Sequence, residues 1–424
     1  MKIHIDLDCF FVSAERTIDP TLRGLPVGIG GRGDTKIFSH EKSRQFLNLK
    51  NSGAFVPAYF FEHSSTKDND LHKFIDPDGR IRGMLTTTSY EARAFGVKTG
   101  CTINEALRMC PNIIIKQPNM RLYQELSHKL KRFLQKRIPV IEQGSIDEFY
   151  GDLDGWVDDA EVPEFITALK NEALLVLDLP LSIGAANSKY TAKMATNDAK
   201  PFGTKVVYPD DVHDFIKEKP IKEFPGIGRR TEKALLSRGI VTLGDIARHP
   251  DIFMHSTKSQ KDLYERVCGI DKTPLQEERE RKSIGISRTF DPLYDRQEMR
   301  RRVIILSRHL SHALIRMKKH PTHYSLSIRY ELSQKGNAAI TLNRLFSEPF
   351  LRTTLLDLFE KADIHRELKV IRIGLSCSAF TQSNHHTFSL LEYEEDTKQH
   401  KLTQSTSKLR EKYGLDTLQW GSEL

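Results

Sequence analysis

The first residues of the chain constrain its fold more than any other segment. Apolar and polar residues alternate strictly from Lys2 to Asp8, and this period of two predicts a β-strand with one buried face. The polar face of the strand carries Asp6 and Asp8, and the apolar run Cys9–Val12 follows directly. Because that run is too apolar for an open surface, we expect the two carboxylates to lie at a partly covered site.

A second acidic segment lies further along the chain. The apolar run Ile138–Ile141 precedes the segment Gly144–Glu148, and Phe149–Tyr150 follows it, which predicts two short strands joined by a tight turn. Neighbouring side chains on a strand point to opposite faces. Asp147 and Glu148 can therefore converge on one site only if the turn presents them, and a solvated acidic turn is the alternative.

Length and charge favour a basic protein of several domains. The chain has 424 residues, 28% of them charged, and a formal net charge of +8. A length of this order predicts more than one domain. A basic surplus favours a polyanionic partner, nucleic acid first, although a basic protein without such a partner would have the same composition.

The cysteines and the hydropathy pattern predict a cytoplasmic protein with no membrane partner. The five cysteines are an odd number without C-x-x-C spacing, so neither a disulfide framework nor a zinc site is predicted. The chain begins without an apolar leader, which argues against a secretory signal. No apolar run approaches the length of a membrane span.

Two segments carry residues suited to phosphate groups. Tyr90 to Phe95 is predicted as a helix, and Tyr90 and Arg93 share one face of its first turn, where free backbone N–H groups favour anions. Lys189 opens another predicted helix, a poor position for a cation beside the helix dipole. A bound anion would explain it, and an ordinary exposed lysine is the alternative.

A glycine turn further on indicates contact with DNA. Gly226, Ile227 and Gly228 lie between two predicted helices, and Arg229 and Arg230 follow. Glycines at such a turn let a phosphate approach the backbone N–H groups at the start of the second helix. A G-x-G turn alone is a weak signal, but helices on both sides favour a DNA-binding hairpin.

The last part of the chain has a different pattern. The charged run Asp271–Lys282 predicts a linker, and Ser283–Ala379 then has the predicted order β-α-β-β-α-β. The first helix of this module, Arg296–Lys319, has an apolar face. Its basic residues fit a phosphate footprint, with a solvated face as the alternative. They are Arg301, Arg302, Arg308, Arg316 and Lys318.

Taken together, six segments of the chain resemble the Y family of translesion DNA polymerases, most closely its bacterial DNA polymerase IV branch. They occur in the family's order and cover most of the chain to about Phe380. Each is weak alone, and their combination is specific. The segments are His4–Phe11, Ser89–Val97, Ser145–Glu148, Ala199–Gly203, Pro225–Gly228 and Lys282–Gly285.

The resemblance implies an α+β, multidomain right-hand polymerase with palm, fingers, a helical thumb carrying a helix-hairpin-helix, and a βαββαβ little finger. The implied parts are the palm (1–18 and 121–195), the fingers (19–120, with an insertion at about 30–83), the thumb (196–268), a linker (269–281), the little finger (282–380) and a C-terminal tail (381–424).

The resemblance also assigns the catalytic centre. Asp6, Asp147 and Glu148 would hold two Mg²⁺ ions, with the Leu7 carbonyl as a backbone ligand, while Asp8 would be structural. Two such ions about 3.5–4 Å apart can activate a primer 3′-hydroxyl and stabilise the pyrophosphate leaving group. Mg²⁺ prefers hard oxygen ligands, which carboxylates and carbonyls provide.

Nucleotide contacts follow from the same resemblance. Tyr90, Arg93 and Lys189 would contact the triphosphate, and the backbone N–H groups of Cys9–Phe11 would complete its cradle. An arginine can grip two phosphate oxygens, whereas a lysine acts as a point charge. Phe11 falls at the family's steric-gate position, beneath the sugar.

The implied function is template-directed DNA synthesis in DNA damage tolerance, by a low-fidelity, low-processivity enzyme. Its expected partners are primer–template DNA and a dNTP, and a monomer is expected. Another palm-type nucleotidyl transferase, such as a cyclase, and a catalytically weak DNA-binding relative are the alternatives. The helical hairpin and the basic last module argue against a cyclase, and the intact carboxylate triad argues against the weak relative.

Two segments depart from the family pattern. The insertion at about 30–83 contains the aromatic cluster Phe55–Phe61, which we expect to pin it to its own domain or to a partner, since exposing such side chains is unfavourable. Thr387–Leu391 resembles a degenerate sliding-clamp peptide. A loop that packs on its own domain is the alternative for that segment.

Overall fold

A computed structural model describes the protein as two compact units. The first comprises Met1–Gly31 and the described part of His63–Arg279, and the second comprises the described parts of Arg32–Ser52, Pro57–Glu62 and Glu280–Leu424. The finer division into palm, fingers, thumb and little finger stays a prediction. The described residues are 1–31, 36–38, 45–47, 59–61, 69–76, 78–271, 273–278, 280–381 and 391–423.

Strands and helices alternate along most of the described chain. The strands are β1 (Lys2–Leu7), β2 (Val27–Gly31), β3 (Gln45–Leu47), β4 (Tyr59–Phe61), β5 (Met84–Thr88), β6 (Ile114–Lys116), β7 (Val140–Gln143), β8 (Glu148–Asp152), β9 (Leu181–Ala186), β10 (Thr204–Val206), β11 (Ser283–Leu293), β12 (His320–Tyr330), β13 (Lys335–Thr341) and β14 (Val370–Thr381). The helices are α1 (Phe10–Ile18), α2 (Tyr90–Ala94), α3 (Ile103–Met109), α4 (Met120–Gln135), α5 (Val162–Leu177), α6 (Lys189–Ala199), α7 (Val212–Ile216), α8 (Arg229–Leu236), α9 (Leu243–Arg248), α10 (Pro250–Met254), α11 (Lys258–Val267), α12 (Arg296–Arg316), α13 (Glu348–Ala362) and α14 (Tyr393–Tyr413).

A five-stranded sheet organises the first unit, in the order β10-β9-β1-β8-β7. β1 lies at its centre and pairs antiparallel with both β8 and β9. Ile3 and Ile5 of β1 enter a core with residues of α4 and α5, such as Leu130 and Ile166. The opposite face of β1 packs against α6, so all six residues of β1 are buried, including the predicted polar face.

Two smaller modules complete the first unit. The strands β5-β2-β6 form a three-stranded sheet, and Leu85 and Ile103 belong to the core beneath it. A capping box opens α3, with Thr102 and Glu105 each bonded to the other's backbone N–H. The helices α7, α8, α9, α10 and α11 enclose a separate apolar core.

The second unit is built on a four-stranded antiparallel sheet, in the order β11-β14-β12-β13. Its elements follow one another as β11, α12, β12, β13, α13 and β14, which is the predicted β-α-β-β-α-β order. α12 and α13 pack on the sheet and on each other. Leu310 of α12, Leu355 of α13 and Ile373 of β14 are among the buried core residues.

A short piece of the insertion also belongs to this second core. Ile37 and Phe38 are buried there, and the Phe38 ring contacts the Phe290 ring edge-on, with centroids 6.0 Å apart. The Arg302 guanidinium lies 4.6 Å from the centre of the Phe38 ring, and Arg301 donates to the Phe38 carbonyl at 3.2 Å. Of the described residues of the insertion, Ile37 and Phe38 therefore pack in the core of the second unit, whereas Phe74 packs in a core of the first unit.

The segments predicted to be interaction sites fall mostly outside the described residues. β3 and β4 pair antiparallel, but the side chains of the aromatic cluster Phe55–Phe61 lie outside the described part. Residues 387–390 of the clamp-like peptide lie outside it as well. Leu391, its last residue, is described and is 98% exposed.

Within the second unit, buried ion pairs join the C-terminal helix α14 and the turns after it to α12 and α13. The buried Arg308 guanidinium lies 2.8 Å from a Glu423 carboxylate oxygen and 2.9 Å from Asp416, and Arg410 pairs with the buried Glu348. Charges are seldom buried unless they are paired in this way. The prediction that Arg308 belongs to a phosphate footprint is wrong, because carboxylates of the tail occupy its guanidinium.

Two buried histidines of α12 should make the second unit less stable in acid. Burial, with Arg316 and Arg410 nearby, lowers the pKa of His312 to about 4. Burial also lowers the pKa of His309. Between about pH 6.5 and pH 4 the unfolded chain therefore binds a proton that the folded chain excludes, which destabilises the folded state as the pH falls.

For His312 alone the expected loss of unfolding free energy reaches about 3 kcal/mol once the pH is below about 4. Urea unfolding of the full chain between about pH 7 and pH 5 should show this trend, and His312→Gln should reduce its slope. His213→Gln, which removes an exposed histidine of the first unit, is the control and should leave the slope unchanged. Equal slopes for His312→Gln and the unmodified chain would contradict the assignment.

Two further observations concern the predictions about compartment. All five cysteines are free. Within the described ranges, no helix combines the length and the apolar character needed to cross a membrane.

Candidate active site

β1 and β8 bring predicted carboxylates together. Asp6 and Glu148 lie directly opposite each other in the antiparallel ladder, where the Cβ atoms of paired residues are neighbours. Asp147 belongs to the turn before β8, and its carbonyl accepts a hydrogen bond from the Leu7 N–H at 3.0 Å. Ser145 fixes this turn, because its hydroxyl donates to the Asp147 carboxylate and accepts from the Glu148 N–H at 3.1 Å.

Burial makes charge on these carboxylates unfavourable. Burial raises the pKa of Asp6 to about 7, with Lys200 opposing the shift and Asp147 and Glu148 adding to it. Burial likewise raises the pKa of Asp147, against the hydrogen bond from Ser145. Carboxylates this close repel one another when ionised. A cation at this place would therefore stabilise the ionised cluster.

Two lysines that the sequence analysis did not single out supply positive charge here. Lys200 Nζ lies 2.7 Å from Asp6 Oδ1, and Lys193 Nζ lies 2.6 Å from both carboxylate oxygens of Glu148. Lys193 is four residues after Lys189 on α6, which places both on one helix face. That spacing was the one available sequence signal for Lys193.

Lys189 itself pairs with a different carboxylate. Its Nζ lies 3.5 Å from both oxygens of Glu142, a buried residue of β7. Glu142 also accepts a hydrogen bond from the Gln276 N–H at 2.9 Å. A protein carboxylate thus explains the lysine at the start of α6, and the triphosphate contact of Lys189 stays a prediction.

Asp8 connects three elements around the site. Its buried carboxylate accepts hydrogen bonds from the Tyr90 hydroxyl at 3.1 Å, the Ser182 hydroxyl at 2.9 Å and the Phe202 N–H at 2.7 Å. Phe202 lies two residues after Lys200, in the turn that brings this lysine to Asp6. Asp8 therefore fixes both Tyr90 and the Lys200 turn, which gives its predicted structural role a physical basis.

The segment after β1 turns sharply into α1. Cys9 adopts a left-handed backbone, with φ of 39°, and precedes the first residue of the helix, Phe10. The N–H groups of Phe10 and Phe11 thus belong to the first helical turn, whose donors have no acceptor within the helix. Such donors suit an anion. Phe11 stacks on Tyr123, with ring centroids 4.4 Å apart and an interplanar angle of 9°.

Tyr90 and Arg93 lie together on α2, as their spacing predicts. The Arg93 guanidinium lies 4.6 Å from the centre of the Tyr90 ring, and its Nε donates to the Thr88 carbonyl at 3.1 Å. Arg93 is exposed, so the rest of its guanidinium can face a ligand. Burial, with Asp8 nearby, raises the pKa of Tyr90, which keeps the hydroxyl protonated as a donor.

The residues at the end of β1 fit a divalent cation. His4, Asp6 and Glu148 each offer one ligand atom, and these atoms lie within 4.8 Å of one another. Asp147 adds a third carboxylate in the adjoining turn. Hard oxygen donors of this kind suit Mg²⁺, Ca²⁺ or Mn²⁺.

Profiles of known protein families identify the family to which this chain belongs. The profile of the impB/mucB/samB family matches residues 5–197, and its C-terminal domain profile matches residues 281–390. Between them, the profile of the helix-hairpin-helix (HHH) motif of the same family matches residues 209–240. The chain belongs to the impB/mucB/samB family. The predicted Y-family membership is thereby confirmed, since these profiles describe the domains of that family.

Two curated relatives of this impB/mucB/samB protein cover two thirds or more of its length. DNA polymerase IV 1 of Halalkalibacterium halodurans is 29% identical over 434 residues, covering 99% of this chain and 92% of the relative. DNA polymerase IV of Shewanella woodyi is 31% identical over 291 residues, covering 68% of this chain and 67% of the relative.

Solved structures support the fold of this impB/mucB/samB protein. A Y-family DNA polymerase chimera built from Dbh and Dpo4 has a TM-score of 0.69 at 22% identity, covering 89% of this chain and 98% of the chimera. The crystal structure of DinB from Sulfolobus solfataricus has a TM-score of 0.52 at 22% identity, covering 89% of this chain and 98% of that protein. The predicted α+β polymerase fold with a helix-hairpin-helix is confirmed.

The glycine hairpin lies inside the region that matches the family's helix-hairpin-helix profile. Gly226 has φ of 103°, a left-handed conformation that glycine adopts without steric cost. Gly228 is the N-cap of α8, and Arg229 and Arg230 are exposed in the first turn of that helix. Ile227 is buried at 9% exposure and anchors the turn in the helical core.

Proposed function

We propose that this chain catalyses template-directed DNA synthesis, by adding nucleotides from dNTPs to a primer 3′-hydroxyl. It would act as a low-fidelity, low-processivity translesion DNA polymerase in DNA damage tolerance. The observation that supports the proposal is that Asp6 on β1, Glu148 on the neighbouring β8 and Asp147 in the turn before β8 lie together in a member of the impB/mucB/samB family. Its curated relatives are named DNA polymerase IV, which neither a cyclase nor a DNA-binding relative without activity would explain.

The proposed metal is Mg²⁺, as two ions held by Asp6, Asp147 and Glu148 and by the Leu7 carbonyl. When bound, the ions lower the barrier by activating the 3′-hydroxyl and stabilising the pyrophosphate. Ammonium groups of the chain pair with two of these carboxylates, Lys193 with Glu148 and Lys200 with Asp6. Metal binding would therefore release Lys200 from Asp6, and its charge would become available to triphosphate oxygens.

The triphosphate would lie against three further groups of the chain. Tyr90 and Arg93 on α2 would donate to its oxygens, and the backbone N–H groups of Cys9–Phe11 would approach it from the start of α1. The Tyr90 hydroxyl donates to Asp8 at 3.1 Å, which holds the side chain beside the start of α1 before a nucleotide binds. Lys189 would contribute only at longer range, because Glu142 holds it.

The direct experiment is primer extension by the purified full chain. Extension on intact and abasic templates is expected with Mg²⁺ and should stop on addition of EDTA, since the carboxylates alone cannot activate the 3′-hydroxyl. Products that end after a few additions would show low processivity. Absence of any extension with divalent metal, in a chain that binds primer–template DNA, would contradict the proposal.

The hairpin Gly226–Arg230 would bind the DNA backbone without reading its sequence. Counterion release predicts that the logarithm of affinity falls with the logarithm of salt, with a slope of roughly −0.9 per phosphate contacted. Changing both Arg229 and Arg230 to Ala should reduce that slope by about 1–2 and weaken binding to all sequences equally. Fluorescence anisotropy over a salt series measures both quantities.

The matched control is Arg248→Ala, which removes an exposed arginine of the same unit that pairs with Asp245. It should leave the slope unchanged. An identical loss for Arg248→Ala would show that net charge alone, not the hairpin, determines binding.

Sliding-clamp binding and a monomeric state remain proposals, with Thr387–Leu391 as the candidate clamp segment.

Asp8→Asn is predicted to weaken nucleotide binding without weakening DNA binding. The asparagine oxygen can still accept from the Phe202 N–H, but its NH₂ group then faces the Tyr90 and Ser182 hydroxyls, which can no longer donate to it. The loss of hydrogen bonds to a charged acceptor costs about 1.5–3 kcal/mol, and Tyr90 would lose its fixed position. A loss of about 1.4 kcal/mol of binding free energy for the nucleotide corresponds to a tenfold increase in the KM for dNTPs.

A double-mutant cycle with Tyr90→Phe separates positioning from a general loss of stability. If Asp8 acts through the Tyr90 hydroxyl, Asp8→Asn should raise the KM by a smaller factor in the Tyr90→Phe background. Affinity for DNA, measured by anisotropy, should not change in either variant. Equal factors in both backgrounds would exclude a role through Tyr90.

A further inference from the structure

The C-terminal helix α14 buries polar side chains and exposes apolar ones. Its buried residues are all polar or charged, namely Asp396, Thr403, Ser407 and Arg410. Its large apolar residues are about half exposed, with Leu402 at 52%, Leu409 at 48% and Tyr413 at 59%. A helix on the surface of a globular protein normally has the opposite arrangement. Docking on the second unit therefore explains the inner face of α14 but not its outer face.

Ion pairs within the second unit leave the outer face of α14 positively charged. Most acidic residues of the C-terminal segment pair with arginines: Glu392 and Asp396 with Arg344, Glu411 with Arg316, and Asp416 and Glu423 with Arg308. Four exposed lysines of the helix have no carboxylate partner in the part of the chain that the structure describes. They are Lys398, Lys401, Lys408 and Lys412. The remaining acids, Glu394 and Glu395, lie in the first turn, before these lysines.

The lysines and the apolar residues form two parallel rows along the outer face of α14. The lysines follow one another at spacings of three, seven and four residues, which places them on one side of the helix. Each apolar residue comes one position after a lysine, in the pairs Lys401–Leu402, Lys408–Leu409 and Lys412–Tyr413. One position is about 100° around the helix axis, so the apolar row lies directly beside the lysine row. From the first lysine to the last, the helix rises about 21 Å.

A single strand of nucleic acid has a surface complementary to these two rows. Its phosphates are neutralised by ammonium groups, and its unpaired bases stack on exposed aromatic rings whatever their sequence. The Lys412 ammonium lies 5.0 Å from the centre of the Tyr413 ring, so a charge for a phosphate and a ring for a base are adjacent. A duplex keeps its bases inside and would leave the apolar row exposed. The two rows together therefore favour a single strand.

We propose that the outer face of α14 binds single-stranded DNA, with phosphates on the lysine row and bases against Leu402, Leu409 and Tyr413. The choice of DNA rests on the proposed function, because template-directed synthesis supplies an unpaired template strand. The surface is additional to the carboxylate centre and to the hairpin Gly226–Arg230, since it shares no residue with either. A span of about 21 Å equals roughly six phosphates at the spacing of one strand in a duplex, and fewer in an extended strand.

The test is fluorescence anisotropy of the full chain with a labelled oligo-dT strand of about 20 nucleotides, which exceeds the proposed site. A blunt duplex of the same length is measured in parallel. Lys401→Ala combined with Lys408→Ala should reduce the salt slope for the single strand by about 1.4, since a single strand contributes about 0.7 per phosphate contacted. The matched control is Lys136→Ala combined with Lys361→Ala, which removes the same charge from exposed positions on other elements and should leave the slope unchanged.

The apolar row is tested by Leu409→Ala combined with Tyr413→Ala. This variant should bind the single strand about fivefold or more weakly, because a stacked base is lost, and should keep its affinity for the blunt duplex. Leu175→Ala combined with Val176→Ala removes two exposed apolar side chains of α5 and should change neither affinity.

Three results would overturn the inference. Equal changes of slope in the two lysine pairs would show that net charge alone determines binding. An unchanged affinity for the single strand in Leu409→Ala with Tyr413→Ala, or equal losses for strand and duplex, would exclude contact with bases. Failure of the full chain to bind the single strand would remove the site altogether. None of these results touches the proposed polymerase, which primer extension judges separately, because no residue of α14 belongs to the carboxylate centre.

Discussion

Asp147→Asn is expected to reduce the rate of nucleotide addition by about 10³-fold or more, while the affinity for primer–template DNA stays nearly unchanged. The proposed metal ions supply several kcal/mol of transition-state stabilisation, and each 1.36 kcal/mol lost is a tenfold loss of rate. Asparagine keeps the shape of the side chain and can still accept the hydrogen bond from Ser145. The substitution therefore removes charge from the centre with little change in its packing.

The measurement is single-turnover primer extension with Mg²⁺, together with anisotropy for DNA binding. Asp152→Asn is the matched control, since Asp152 lies on the same strand β8 and its carboxylate pairs with Lys2 at 3.0 Å. It should extend primers at close to the unmodified rate. Glu148→Gln and Asp6→Asn should resemble Asp147→Asn, and combining them should add little, because residues that act as a unit are not additive.

Stability provides a second readout that excludes misfolding. Burial raises the pKa of Asp6 and of Asp147, and the charge on Glu148 adds to both shifts, so removal of one charge should stabilise the folded chain when no metal is added. Each kcal/mol gained raises the unfolding temperature of a domain of 150–250 residues by about 2–4 °C. An inactive Asp147→Asn variant with an unchanged or higher unfolding temperature would place the defect in catalysis. Unmodified turnover in that variant would remove Asp147 from the catalytic centre.

The central strand and its acidic turn could be predicted because their signals are local. The alternation from Lys2 to Asp8 identifies β1, and the turn between the apolar runs identifies the hairpin of β7 and β8. Alternation distinguishes the two faces of a strand, but it does not say what covers each face. The burial of His4 follows from its contact with Thr196, 192 residues away, and no local pattern contains that information.

The lysines of the site show the same limit. Lys200 reaches Asp6 only because β1, β9 and α6 assemble around the Asp8 carboxylate. Lys189 was predicted to contact an anion because a lysine is unfavourable at the start of a helix. In the structure its ammonium pairs with the buried Glu142 carboxylate. A lysine contributes no periodic pattern to the sequence. The tertiary fold alone therefore determines that Lys193, and not Lys189 on the same helix, pairs with Glu148.

Long-range pairing also explains why the prediction for Arg308 was wrong. From the sequence, Arg308 is one of several cations on a predicted helix. In the structure its guanidinium is buried by Glu423 and Asp416, which lie more than 100 positions further along the chain. The start of α1 has no local signal for a different reason. Helix caps are usually Ser, Thr, Asp or Asn, whereas the residue before α1 is Cys9, held in a left-handed conformation.

Phe11→Ala is expected to relax the discrimination against ribonucleotides by about 10²-fold, in the ratio of kcat/KM for dNTPs and for the corresponding ribonucleotides. The Phe11 ring stacks on Tyr123 with centroids 4.4 Å apart. Tyr123 is fully buried, and its hydroxyl donates to Glu15 at 2.7 Å. Because Tyr123 is fixed in this way, it limits the movement of the Phe11 ring, as the proposed steric gate requires.

The conservative variant Phe11→Tyr keeps the ring and should keep the discrimination, whereas Phe11→Leu should give an intermediate ratio. The Phe11→Ala variant should retain most of its dNTP incorporation, because the carboxylate centre does not depend on the ring. A steric gate acts on the ribonucleotide alone, so the change should appear as a gain in ribonucleotide kcat/KM and not as a loss for dNTPs. An unchanged ratio in Phe11→Ala, measured with a chain of normal unfolding temperature, would show that another residue excludes the 2′-hydroxyl.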